Sequence, residues 1–230
     1  MAEAAQMVSR VTGQAERIAT HFLDCLDRGA EGGVPFRHWL LEDALPEDTC
    51  AGIDALPYAP PAVAETKGKR ETNNSMRQFF GAAQRAAHPI CAALAEALQS
   101  DAVTRRLARQ CDAPLAGSFL RIEYCQDTEG FWLEPHTDIG AKLFTMLIYL
   151  SEGPGSEAWG TDLLRPDGSL FATSPYRRGF GLIFVPADDT WHGFRPRPIA
   201  GVRRSLIVNY VKPEWRARHE LAFPDRPLAA

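Results

Sequence analysis

Three residues set the chemistry to be expected of this chain. His136 and Asp138 stand two apart in FWLEPHTDIGAKLFTMLIYL, residues 131–150, and His192 stands in the later segment DTWHGF. On an extended backbone residues i and i+2 point to the same side, so one strand end can present an imidazole and a carboxylate to a single ion. A second imidazole from elsewhere completes two nitrogens and one oxygen on one face of a metal, with the remaining positions open. That facial set holds iron(II) for oxygen chemistry. Pro135 stops the preceding element just ahead of the motif, and Gly140 permits a turn after it. His192 follows the apolar run GLIFVP across the polar turn ADDT, with Trp191 and Phe194 as an apolar surround.

A second constellation lies in GVRRSLIVNYV, residues 201–211. On a strand, Arg203, Ser205, Ile207 and Asn209 share one face, while Arg204, Leu206, Val208 and Tyr210 share the other. The second face is apolar enough to pack on helices, which turns Arg203 and Ser205 inward. A buried guanidinium without a partner is very unfavourable. Its natural partner is a carboxylate gripped by the bidentate fork, with the serine hydroxyl as a third donor. The residues leave open whether that carboxylate belongs to the chain or to a ligand.

The elements that must position these groups follow from apolar spacing. Val11, Ala15, Ile18, Phe22 and Leu26 mark an amphipathic helix up to about Arg28, ended by Gly29, Gly32 and Gly33. VPFRHWLLEDALP contains a short strand, and acidic residues after Pro46 open a second helix in PEDTCAGIDAL. Residues 57–80 have no clear period and form a long loop, either a solvated surface loop or a lid whose Lys69, Arg70, Asn73, Asn74 and Arg77 suit a polar or anionic substrate. Ile90, Leu94 and Leu98 mark another helix, with Pro89 in its first turn or at a kink, and DAVTRRLARQC one more. From Leu115 the runs FLRIEY, AKLFTMLIYL, GLIFVP and RRSLIVNYV read as strands between turn residues. Helices first and strands second predict an α+β fold, an antiparallel jelly-roll core backed by N-terminal helices. Residues 1–230 are expected to form a single domain, with 1–114 mainly helical support and 115–211 the β-core.

Composition narrows the class. The chain has 230 residues, 45% hydrophobic and 23% charged, enough for one well-buried globular core. A net charge of -4 and a pI near 5.9 give no electrostatic case for nucleic acid or an anionic membrane. The N-terminus has scattered charges and no apolar core, unlike a signal peptide, and no run is long enough to span a bilayer. Cys25, Cys50, Cys91, Cys111 and Cys125 are odd in number, far apart and free of CxxC spacing, as expected of reduced thiols in a cytoplasmic protein.

With these pieces assembled, the segment from about Leu115 to Val211 resembles the iron(II)/2-oxoglutarate-dependent oxygenases, above all their prolyl-hydroxylase-like branch. The family pattern of H-x-D, a distal histidine and then R-x-S is matched by His136, Asp138, His192, Arg203 and Ser205. The resemblance implies a double-stranded β-helix core of the jelly-roll or cupin-like kind. It also implies iron(II) on the three ligands, 2-oxoglutarate and O2 as co-substrates, and succinate and CO2 as products beside a hydroxylated C–H. Arg203 and Ser205 would hold the far carboxylate of 2-oxoglutarate, Tyr149 would support it, and Tyr124 would lie near the other end. The WGTDLL segment around Thr161 is similar to a small turn of the family, its glycine pair reduced to Gly160. Related halogenases replace the carboxylate ligand, so Asp138 favours hydroxylation. Nucleic-acid demethylases of the superfamily carry a second arginine where this chain has Asn209, which argues against a base-repair role. Trp132, Glu134, Lys142, Asn209, Asn73 and Arg77 are candidate walls for a small polar substrate, an amino acid or a derivative. Two rivals stand beside this reading: a cupin-like metalloenzyme that does not use 2-oxoglutarate, and a non-catalytic sensor of metal and 2-oxoglutarate.

Overall fold

The computed structural model describes residues 2–62, 66–70, 77–138 and 140–229. The first apolar stripe forms helix α1 (Ala2–Arg28), which buries Ile18, Phe22 and Leu26 against α4 (Pro89–Gln99). Pro89 occupies the first turn of α4, where its missing N–H is not needed, rather than kinking it. Between them lie α2 (Glu47–Asp54) and α3 (Ala82–Ala87), and after them α5 (Asp101–Cys111) turns Val103 and Leu107 inward.

The strands build two antiparallel sheets. The large one runs β1 (Ala30–Gly32), β2 (His38–Leu41), β9 (Gly181–Phe184), β6 (Lys142–Tyr149), β11 (Arg203–Val211), β4 (Phe119–Asp127) and β3 (Gln78–Phe79). The small one runs β5 (Leu133–His136), β10 (His192–Phe194), β7 (Asp162–Leu164) and β8 (Leu170–Thr173). The four long apolar runs thus become β4, β6, β9 and β11. Three strands that precede residue 115 also join the large sheet, so the first half of the chain is more than helical support.

Strand alternation sends the two faces of the large sheet into different cores. Leu120, Ile122 and Tyr124 of β4, Met146 and Ile148 of β6, and Leu206, Val208 and Tyr210 of β11 pack with α1 and α4. The Tyr210 hydroxyl donates to Leu98 O at 2.6 Å. On the opposite face Leu147, Tyr149, Leu182 and Phe184 share a second core with Leu163 and Phe194 of the small sheet. The pairing of β6, β11 and β4 lays residues of this face in rows: Thr145–Asn209–Arg121, Leu147–Ile207–Glu123, Tyr149–Ser205–Cys125, and then Arg203 beside Asp127. Among the described residues no helix is long and apolar enough to cross a membrane. All five cysteines are free and buried, as expected of structural thiols.

Candidate active site

The small sheet brings the metal set together. His192 opens β10 and pairs directly with His136 at the end of β5, so two segments 56 positions apart place their imidazoles side by side, with ring centroids 4.3 Å apart. Asp138 follows just beyond β5, and one donor atom from each of the three residues lies within 4.8 Å of the others. Both histidines are oriented by the same local device. His136 Nδ1 contacts Glu134 O at 2.8 Å and His192 Nδ1 contacts Thr190 O at 2.9 Å, each the carbonyl two residues back. A carbonyl only accepts, so each Nδ1 carries the proton and each Nε2 keeps its lone pair for an ion. Burial pushes the His192 imidazole down to about 4, against the pull of Asp138, so the ring is a neutral donor.

Asp138 is buried, which alone would raise its carboxyl. The Lys142 ammonium, 2.5 Å from Oδ1, and the neighbouring imidazoles outweigh burial and hold it well below the usual carboxylate range. Its Oδ2 accepts from Thr145 Oγ1 at 3.0 Å and faces His192 Nε2 at 4.0 Å. Thr145 Oγ1 in turn accepts from Asn209 Nδ2 at 2.9 Å, and Asn209 Oδ1 accepts from Arg121 Nη1 at 2.9 Å. A guanidinium only donates and a carboxylate only accepts, so every hydroxyl and amide between them must point towards Asp138. The first row of the sheet is a one-way chain of donors ending on a candidate metal ligand.

One cavity of about 450 Å³ joins this set to both flanking groups of charges. At one end lie Arg203 and Arg70, with Leu147, Thr161 and Phe194. Arg203 is buried, and donates through Nη1 to Asp127 Oδ2 at 2.6 Å and through Nε to Trp159 O at 2.7 Å. Its guanidinium sits 4.8 Å from the Phe194 ring and 5.5 Å from that of Tyr149. Beside it Ser205 Oγ is buried with no hydrogen-bond partner, an orphaned donor next to a cation. At the other end Arg77 holds Glu123 with both branches of its fork, at 2.8 and 2.7 Å. Arg121 bonds Glu123 at 2.8 Å and Glu220 at 2.6 Å, its guanidinium lying over the rings of Phe79 and Trp215.

The expected residues fall into several places. His136, Asp138, His192, Arg203, Glu134, Lys142 and Arg77 all line the one cavity. Ser205 is buried one step behind the wall. Tyr149 also stands behind it, its hydroxyl donating to Thr161 Oγ1 at 2.9 Å and accepting from Thr161 N–H at 3.1 Å, so Thr161 carries that polarity to the cavity. Three expectations are corrected. Tyr124 belongs to the helix-side core, because it is one residue out of phase with Glu123 and Cys125, and its position does not serve a co-substrate. Asn209 is fully buried and consumed by the donor chain, so it supports the site rather than walling it. Trp132 packs under Gly68, where an added Cβ would come within 2.7 Å of the indole, and it anchors the loop. Asn73 and Asn74 lie outside the described residues, as does part of the expected lid. The partners Arg121, Glu220 and Asp127 were not singled out from sequence.

The arrangement of two antiparallel sheets backed by helices is similar in fold to solved prolyl hydroxylases. A prolyl 4-hydroxylase from Phytophthora capsici superposes with a TM-score of 0.57 at 16% identity, over 88% of this chain and 67% of that one. One from Pseudomonas putida gives 0.51 at 16% identity, over 85% and 94%. A Trichoplax adhaerens prolyl hydroxylase in complex with a hypoxia-inducible-factor peptide fragment gives 0.50 at 13% identity, over 89% and 94%. No family model and no curated relative matches the chain.

Proposed function

We propose that this chain is a 2-oxoglutarate-dependent dioxygenase, built as one domain on a double-stranded β-helix, that hydroxylates an unactivated C–H of a small polar metabolite. The observation that carries the reading is one cavity shared by a facial His–Asp–His set and a buried arginine with an orphaned hydroxyl beside it. The donor set fits iron(II), since two imidazole nitrogens and one carboxylate oxygen lie within 4.8 Å of one another on the wall of one cavity. The Arg203 end fits the far carboxylate of 2-oxoglutarate, with Ser205 as the added donor. Bound together, iron, 2-oxoglutarate and O2 supply the oxidation, with succinate and CO2 as by-products.

The protein's own part is to hold and orient. His136 and His192 present fixed lone pairs, and Lys142 occupies Asp138 Oδ1 while Thr145 steadies Oδ2. Apolar Leu147, Phe194 and Ile207 line the space between the polar groups. The charged end around Arg77, Arg121, Glu123 and Glu220, with Glu134 nearby, supports a substrate with charged groups, an amino acid or a derivative.

The deciding measurement is succinate formed from 2-oxoglutarate by iron(II)-loaded protein, screened against amino acids, their derivatives and proline-containing peptides. Stimulation by an amino acid supports the whole reading, and stimulation by peptides alone overturns the small-metabolite part. Turnover that survives His136→Ala or Asp138→Ala would sink the enzyme assignment. Metal-dependent conversion of a substrate without 2-oxoglutarate would point instead to cupin-like chemistry.

A further inference from the structure

The charged groups of the cavity do not balance evenly. Among the described residues its lining carries six cations and four carboxylates. At the Arg77 end two guanidiniums face Glu123 and Glu220 and cancel within the network. Lys142 is matched by Asp138, and Lys69 by Glu134 at 3.6 Å. The excess therefore sits at the Arg203 end, where Arg203 and Arg70 share one carboxylate.

That carboxylate is Asp127, only 1% exposed and not itself part of the cavity wall. Arg203 Nη1 reaches its Oδ2 at 2.6 Å, while Arg70 grips it with both branches, Nη1 to Oδ1 at 2.6 Å and Nη2 to Oδ2 at 3.2 Å. The two guanidiniums are braced by adjacent rings: Arg70 lies 4.6 Å from Phe131, Arg203 lies 4.8 Å from Phe194, and those rings are 5.7 Å apart. Both cations face the cavity and the shared anion is behind them. Arg203 with Asp127 alone would be a neutral internal pair with little hold on a second carboxylate. Among the described residues, Arg70 then leaves one buried positive charge over, and buried net charge is strongly unfavourable until an anion meets it.

We infer that Arg70, which lies outside the H-x-D and R-x-S pattern, is a positioning residue for the co-substrate: by gripping Asp127 it leaves Arg203 free to hold the terminal carboxylate of a dicarboxylate. Asp127 is then an internal carboxylate that tempers the affinity of the site. This rests on the reading that the Arg203 end takes 2-oxoglutarate, and the test separates the two.

The test is calorimetric binding, without O2, of 2-oxoglutarate and of 2-oxobutyrate to manganese(II)-loaded protein. Both ligands offer the same oxo-acid end, but only 2-oxoglutarate has the far carboxylate. The native chain is expected to prefer 2-oxoglutarate at least tenfold, and a native chain without that preference overturns both the Arg203 reading and the role of Arg70. Given the preference, Arg70→Gln is expected to reduce it about tenfold with 2-oxobutyrate binding unchanged, Arg70→Lys to retain most of it, and Asp127→Asn to increase it. An Arg70→Gln protein that keeps the native preference overturns the inference while leaving the Arg203 reading intact. So does a pattern in which Arg70→Gln and Asp127→Asn weaken both ligands alike, which marks the pair as a structural clamp.

Discussion

Asn209→Leu tests the donor chain that ends on Asp138. The substitution keeps the branched shape and removes the side-chain hydrogen bonds of a fully buried position, chiefly one accepted from Arg121 at 2.9 Å and one donated to Thr145 at 2.9 Å, with a longer one to Phe144 O at 3.4 Å. The first involves a charged partner and the second a neutral one, so the expected loss of stability is roughly 2 to 4 kcal/mol. Arg121 keeps Glu123 and Glu220, and the fold should survive. Thr145, no longer held as an acceptor, gains freedom to turn its hydroxyl from Asp138 Oδ2. Groups that orient a metal ligand typically change affinity by about 10- to 100-fold, and the lower end suits a change two bonds from the carboxylate. The assay pairs urea denaturation of the metal-free protein with cobalt(II) titration against a competing chelator. Reduced stability with native cobalt affinity would refute the reasoning, because the chain would then be scaffold alone. Thr145→Val, which removes the last link, should weaken cobalt at least as much while leaving Arg121 and Asn209 paired.

The other expectations are simpler. Glu123 is buried, which raises its carboxyl, but Arg77 and Arg121 prevail and hold it at about 2, below its ordinary 4.5. A lowered folded value means that stability is present above about pH 4.5 and lost as pH falls towards 2, on the order of 3 kcal/mol; Glu123→Gln should flatten the dependence of the urea midpoint between pH 5 and 3. Tyr210→Phe removes the bond to Leu98 O on the helix side, and calorimetric melting should show a loss of about 1 to 2 kcal/mol with cobalt affinity unchanged. Gly160→Ala would drive a Cβ to 1.8 Å from Ser174 O, in the turn that ties Tyr149 to Thr161 and Ser174. Its melting temperature should fall by more than that of Gly33→Ala, an exposed position with open space around it, read in the same scan.

What sequence made legible was periodic. Helix α1 and strand β11 declare which of their faces is apolar, and the alternation of β11 places Arg203 and Ser205 opposite Leu206 and Val208. The same rule applied to β4 groups Arg121, Glu123 and Asp127 together and puts Tyr124 out of phase with them. An alternating charged face ordinarily reads as a face in water, and only the second sheet turns this one inward. The partners of Arg203 and Arg121 were thus hidden in a familiar pattern. Strands β5, β7, β8 and β10 have three or four residues each, too few to show a period, yet β5 and β10 are what bring His136 to His192.

The in-phase rows of β6, β11 and β4 also limit how this pocket can change over generations. Each strand presents every second residue to the cavity, so inserting or deleting one residue in β11 would exchange Arg203 and Ser205 for Arg204 and Leu206 on the inner face. Length can vary within the rows only in steps of two, each lengthening the cavity by roughly 7 Å. A lineage seeking a larger substrate therefore has its easiest freedom at the edges, in the short strands and the 57–80 segment. The central rows behave as a ruler whose divisions are fixed.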